Sequence, residues 1–274
     1  LQLTGALFLA AAAGCGDSNP ESVVASPSDG AGISAPRLSN GTLFETAASG
    51  RVLELSPLDG TVTAFDSNGA LLFTYSDTRT PVAASVGPDD TSYILDIGNA
   101  EILALGTTGQ LLRRITAPEL RFARDLAFGN GELYVLDHAS GQVNVLSPEG
   151  EVRRSLSVAG PQAHLRSLVV DAEGNLRILQ SNPVTVLVVD ATTGETLRQY
   201  GSDLAVSAAD LALHADGTTL VIDHLGGQLL AFDSGGVFLG STPVVGAMGD
   251  AAQPLRVAIG SGGQLYLSIR EVAS

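Results

Sequence analysis

The 274-residue chain carries a formal net charge of −15, from 29 acidic residues against 14 basic ones, all of them arginine. Hydrophobic residues make up 45% and charged residues 16%, enough apolar material for a core, which excludes disorder over most of the length. An acidic surface repels phosphate backbones, so nucleic acid is excluded as a partner, and the charge itself reads first as solubility.

The first element in chain order is an apolar run, Leu7-Phe8-Leu9-Ala10-Ala11-Ala12-Ala13-Gly14, which ends in small residues before Cys15. Polar, turn-forming Gly16-Asp17-Ser18-Asn19-Pro20 follow. The run is too short to span a bilayer and suits the core of a signal peptide. Ala12-Ala13-Gly14-Cys15 resembles the lipobox of bacterial lipoproteins, with Ala12 where leucine is usual and no methionine or basic segment ahead of it. The resemblance implies a signal peptide over residues 1–14, truncated at its N-terminus, with cleavage before Cys15 and diacylation of its thiol. It also implies an extracytoplasmic place in the bacterial cell envelope, periplasmic or at the cell surface, with the lipid as the one membrane anchor. The alternative is an ordinary secretory signal with an incidental cysteine. Cys15 is the only cysteine, so no intrachain disulfide forms.

Residues 15–40 admit two readings. They are a Ser/Pro/Gly-rich tether, or Glu21 to Gly30 and Ala31 to Ser39 are two strands that complete the last unit of the domain over 41–274.

From about residue 40 a turn residue followed by an apolar run recurs. The turns are Gly50, Asp90, Gly131, Gly174, Gly217 and Gly263, at spacings of 40, 41, 43, 43 and 46 residues. A period in this range marks a solenoid or propeller. Each unit holds four short β-like runs, shown best between residues 126 and 156: Leu126-Ala127-Phe128, Leu133-Tyr134-Val135-Leu136, Gln142-Val143-Asn144-Val145-Leu146 and Glu151-Val152-Arg153-Arg154-Ser155-Leu156. Within a unit these are strands a to d, joined by turns of Gly, Asn, Asp, Ser and Pro. A four-stranded sheet cannot bury both faces alone, and radial packing of such sheets solves this. The expectation is an all-β propeller of about six four-stranded blades, the sixth stopping after strand b at Ser274.

Tyr134-Val135-Leu136-Asp137 with Val143-Asn144-Val145-Leu146-Ser147-Pro148-Glu149-Gly150, and Leu220-Val221-Ile222-Asp223 with Leu229-Leu230-Ala231-Phe232-Asp233-Ser234-Gly235-Gly236, resemble the NHL-repeat family. The resemblance covers most of residues 41–274 and implies a six-bladed propeller. It speaks to fold rather than function.

Strand a starts and strand b ends on one face, around the mouth of the central channel, where chemistry is expected. At the end of strand b stand Ser56, Asp96, Asp137, Gln180, Asp223 and Ile269. Recurrent aspartate there reads as an acceptor for turn amides in the b–c connection. His138 and His224 follow Asp137 and Asp223, and these four are the candidate catalytic residues, with histidine as base or ligand. His164 and His214 lie elsewhere, and four scattered histidines make no metal spacing. At the start of strand a stand Leu43, Ala83, Asp125, Ser167, Asp210 and Arg256. Asp125 and Asp210 are the candidate metal ligands, for calcium through oxygen. Propeller lactonases resembling gluconolactonase hold a channel calcium with Glu, Asn and Asp. The glutamate and asparagines are missing here, and Arg256 intrudes with the wrong charge. Arg124 and Arg166, just ahead of this column, and Arg256 are candidate ligand-binding cations. No other cofactor is expected.

HExxH, GxSxG, a CxxC pair and a P-loop are all absent, and 13 Phe plus Tyr with no Trp disfavour a carbohydrate platform. The expected function is a membrane-anchored binding module for an envelope protein or a small ligand. The rivals are a calcium-dependent hydrolase or lyase, resembling lactonases or peptidyl-amide lyases, and a structural part of an envelope assembly.

Overall fold

The computed structural model describes residues 21–25, 43–47, 49–160, 163–202, 206–244, 252–260, 263 and 265–271. Cys15, and the strand expected from Ala31 to Ser39, lie outside them. The first strand is β1 (Glu21–Ala25). Blade one holds β2 (Leu43–Thr46), β3 (Val52–Ser56), β4 (Thr61–Phe65) and β5 (Leu71–Tyr75). Blade two holds β6 (Pro81–Val86), β7 (Ser92–Asp96), β8 (Glu101–Leu105) and β9 (Leu111–Thr116). Blade three, after a 3-10 turn at Pro118–Phe122, holds β10 (Ala123–Gly129), β11 (Glu132–Asp137), β12 (Gln142–Leu146) and β13 (Val152–Ser157). Blade four holds β14 (Leu165–Val170), β15 (Leu176–Ser181), β16 (Val184–Val189) and β17 (Thr196–Tyr200). Blade five holds β18 (Ala208–Leu213), β19 (Thr219–Asp223), β20 (Gln228–Phe232) and β21 (Phe238–Pro243).

The remaining strands, β22 (Ala252–Ile259) and β23 (Leu265–Glu271), form a three-stranded sheet with β1, in the order β1-β23-β22. The described blades of four strands are therefore five, against the about six expected, and the sixth unit is three-stranded. β1 runs antiparallel to β23, with Val23 opposite Leu267, so the first described strand pairs with the last. Among the described residues no helix is long and apolar enough to cross a membrane.

The repeat works because side chains alternate along a strand. In β11, Leu133 and Val135 join a core shared with Tyr93, Leu95 and Ile102 of blade two, while Tyr134 and Leu136 join a second core with Leu176, Ile178 and Leu187 of blade four. Both faces are buried, which is why strands b and c read as unbroken apolar runs rather than alternating ones. β7 and β8 are buried at every position. The outer strands differ: in β9 only Ile115 is buried. Each fully buried Leu, Ile or Val side chain contributes about 1.5–3 kcal/mol. The first strands of the blades touch one another around the ring, β2 with β6, β6 with β10, β10 with β14, β14 with β18, β18 with β22 and β22 with β2, and so line the central channel.

A chain starting at Asn40 lacks β1 and leaves one edge of β23 unpaired. Losing the pairing of five residues, at about 0.5–1.5 kcal/mol per hydrogen bond, should lower its melting temperature by roughly 5 °C or more relative to a chain starting at Gly16. Equal melting temperatures would show that β1 does not close the ring.

Candidate ligand site at the channel mouth

In blades two to five and in the sixth unit, the first strand begins at the mouth with an irregularity. Register jumps between Pro81 and Ala83, Ala123 and Asp125, Leu165 and Ser167, Ala208 and Leu211, and Pro254 and Arg256. The residues thereby left out of the ladder are Val82, Arg124, Arg166, Ala209 with Asp210, and Leu255. A β-bulge re-aims a side chain away from the regular alternation, and here it recurs at one height around the channel. The spacing of apolar residues carries no trace of it.

Asp125, just after the bulge of blade three, and Asp210, within that of blade five, stand at the same repeat position, and both are buried. Asp125 accepts hydrogen bonds from the Leu126 amide at 3.0 Å and, across the blade boundary, from the Leu168 amide at 2.8 Å. Asp210 accepts from the Val257 amide of the next unit at 3.0 Å and from Arg256 Nη1 at 3.2 Å. Ser85 does the same job nearer the far end, accepting from the Phe128 amide at 2.9 Å. The channel-side amides of an innermost strand have no ladder partner, and these side chains supply one.

Arg256 lies in the field of both carboxylates. Burial works against its charge, and Asp210 and then Asp125 more than offset it. Burial raises the Asp125 pKa to about 6, against the opposing pull of Arg256. Burial, then repulsion from Arg256 and Arg166, lowers the pKa of Arg124. The three arginines and two aspartates read from the sequence thus come together, with one positive charge in excess. Arg166 donates through Nε to Ser181 Oγ at 3.1 Å. Among the described residues neither Arg124 nor Arg166 has a carboxylate within ion-pair distance, and the buried Nε of Arg124 has no hydrogen-bond partner.

The channel between these groups is narrow, about 50 Å³, lined by Asp125, Ser167, Asp210 and Arg256. It does not suit calcium. All four carboxylate oxygens already accept hydrogen bonds, three arginines surround them, and among the described residues no three His, Cys, Asp or Glu side chains gather. Calcium needs six to eight oxygens.

The strand-b aspartates are built into turns. Asp96 accepts from the amides of Arg79, Thr80 and Gly98 and from Asn99 Nδ2, all within 3.0 Å. Asp223 accepts from the amides of Ser207 and Gly226 and from Gln228 Nε2. Asp137 accepts from the amides of Ala139 and Ser140. They tie the b–c turn, and for Asp96 and Asp223 also the segment entering strand a. His138 Nδ1 lies 3.1 Å from the Phe122 carbonyl and His224 Nδ1 3.1 Å from the Pro254 carbonyl. A carbonyl only accepts, so each of these Nδ1 atoms carries a proton, which leaves Nε2 as the ring's acceptor when the ring bears one proton. The two rings stand on blades three and five and form no pair.

The chain matches no protein family and no curated protein. Its fold is similar to solved propellers. A virginiamycin B lyase from Staphylococcus aureus aligns with TM-score 0.68 and 10% identity over 94% of this chain and 97% of that one. A catalytically inactive form of that enzyme with quinupristin aligns with TM-score 0.67 and 10% identity over 99% and 98%. The hydrazine synthase of Kuenenia stuttgartiensis aligns with TM-score 0.60 and 9% identity over 87% and 97%. At such identities the likeness shows the β-propeller fold alone.

Asp125 makes stability depend on pH. Below its ordinary pKa of 3.8 it is protonated in both states; between there and about 6 the folded state keeps a proton that the unfolded chain releases. Stability should therefore fall as pH rises through that window, by roughly 2–3 kcal/mol for this one group. Asp125→Asn should flatten that stretch of the profile, as measured by urea unfolding across it. An unaltered slope would place the titration elsewhere.

Proposed function

We propose that this propeller is a binding module of the bacterial cell envelope that takes a small carboxylate-bearing ligand at the channel mouth, between Arg124 and Arg166. One observation carries the reading. In a chain of net charge −15, two guanidinium groups on adjoining blades have no carboxylate within ion-pair distance among the described residues, and one of them buries an unpartnered Nε. A guanidinium is planar and offers paired donors, which matches a carboxylate in two-point fashion. An anion bound there brings the counter-charge that the site lacks and the hydrogen bond that Arg124 leaves unmade. Apolar Val82 and Leu255 at the equivalent bulges supply contact for the rest of a small ligand.

A hydrolase or lyase reading stands second. It rests on the fold likeness and on His224 at the mouth, whose Nδ1 contacts the Pro254 carbonyl and so leaves Nε2 as the ring's other nitrogen. It is weaker because no second catalytic group lies within hydrogen-bond reach of that nitrogen among the described residues.

Thermal unfolding with acetate, succinate and citrate at fixed ionic strength tests the proposal. At least one should raise the melting temperature, since ligand at a hundred times its dissociation constant adds about 2.7 kcal/mol. Arg124→Ala or Arg166→Ala should weaken it about tenfold or more. Calcium added after EDTA should change nothing. Equal shifts in the arginine variants would overturn the reading, and a calcium-dependent rise lost in Asp210→Ala would favour the hydrolase.

The anchor is proposed from the Ala12-Ala13-Gly14-Cys15 run. A diacylated cysteine holds a protein stably at a membrane. Cys15→Ser should move the protein from the membrane fraction to the soluble one on ultracentrifugation, and unchanged partition would refute lipidation.

A further inference from the structure

The disk has two faces, and its side chains are sorted between them. The mouth face carries the b–c turns and the segments that lead into strands a; the far face carries the a–b and c–d turns. Large apolar side chains stand in water at the mouth face. Leu58 is 73% exposed in the b–c turn of blade one, Ile97 40% in that of blade two and Leu225 70% in that of blade five, and Phe122 is 54% exposed just ahead of β10. The turns that present them are fixed. Ser56 Oγ donates to Asp59 Oδ2 at 2.7 Å, Asp96 and Asp223 accept from the amides of Gly98 and Gly226, and the Phe122 carbonyl accepts from the His138 amide at 3.4 Å. None of the four packs into a hydrophobic cluster of the core, so folding does not require apolar residues at turns where polar ones are the rule.

Charge is sorted the same way. In the far-face turns Asp89, Glu149, Glu173, Glu195 and Asp216 are exposed. At the mouth face Arg79 and Arg121 are exposed on either side of blade two, with no carboxylate within ion-pair distance among the described residues. The exposed carboxylates described on that face are Asp59, which accepts from Ser56, and Asp77, which pairs with Arg114.

The route of the chain supplies a third observation. Glu21 pairs with Ile269, which stands opposite Pro254, so β1 begins at the mouth face. Cys15 precedes Glu21 by six residues, a reach of about 20 Å at about 3.3–3.6 Å per residue. A lipid on Cys15 would hold the rim of the mouth face nearest the bilayer.

We propose that the mouth face docks on the surface of an anionic lipid bilayer, with Leu58, Ile97, Phe122 and Leu225 set into the interface and Arg79 and Arg121 at the headgroups. The proposal deepens the anchor reading of Cys15, on which its third support rests. Apolar tips spaced around an opening suit a fluid surface, whereas a protein partner needs a continuous shaped contact of about 800 Å² per side. The same surface repels the acidic far face, which gives the docked disk one orientation. Without acyl chains the contact is weak and salt-sensitive, so it does not by itself retain the protein in a membrane fraction.

The chain starting at Gly16 keeps every described residue and has no cysteine to acylate, so it tests the face apart from the anchor. In flotation at low salt it should bind vesicles of equal parts phosphatidylglycerol and phosphatidylcholine, and pure phosphatidylcholine about tenfold more weakly, since each arginine at an anionic surface adds about fivefold. Leu58→Ser with Leu225→Ser should weaken binding about tenfold or more at an unchanged melting temperature. Arg79→Gln with Arg121→Gln should remove the preference for anionic lipid. Ala139→Cys, in the exposed b–c turn of blade three, and Glu173→Cys, on the far face, each place a single thiol for a polarity-sensitive dye. The dye at position 139 should shift to the blue on vesicles and the dye at position 173 should not. No vesicle binding, binding unaltered in the leucine variant, or a blue shift at position 173 would each overturn the docking. Self-association without vesicle binding, lost in the leucine variant, would also overturn it and assign the face to a second copy of the chain. None of these outcomes bears on lipidation, which the partition of Cys15→Ser decides separately.

Discussion

The middle strands of most blades are buried on both faces, and the rest of the molecule depends on this. Leu133 and Val135 point one way and Tyr134 and Leu136 the other, into cores shared with different neighbours. No blade owns a complete core, so none is stable without the next. The same constraint sorts composition by radius. Strands b and c are mostly apolar and buried, the outer strands turn polar and exposed, and the innermost strands carry the charged and small residues that a narrow channel tolerates.

Closing a ring of sheets leaves an inner edge on every blade, and its unpaired amides set the second requirement. Asp125, Asp210 and Ser85 meet it by reaching across to the adjacent strand. Burying carboxylates for that purpose puts negative charge in a poorly solvated place, and Arg256 offsets it between Asp125 and Asp210. Residues with the look of a metal site are thus occupied in holding blades together, while the cations left over at the rim give the mouth its sign.

The fold was legible because its signals are local. A turn residue at Gly50, Asp90, Gly131, Gly174, Gly217 and Gly263 needs no partner to be recognised, and several take the left-handed conformation those turns require, Asp90 among them with φ of 60°. The strand-b aspartates were legible as turn acceptors for the same reason. The convergence of Arg124, Arg166, Arg256, Asp125 and Asp210 was legible as columns of the repeat. Their division of labour was not, because it depends on contacts between residues some 43 to 47 positions apart, such as Asp125 with Leu168 and Asp210 with Val257.

The recurrent bulge has a bearing on how such a protein changes over time. A residue that stands outside the ladder is released from strand pairing, although Val82 and Ala209 still pack against a flanking core. Its identity is therefore less constrained than that of its paired neighbours. Val82, Arg124, Arg166, Ala209 and Leu255 already differ in size and charge at the same place in the ladder. The rosette offers a set of interchangeable slots facing one opening, and new selectivity can be composed there one slot at a time while the scaffold stays as it is.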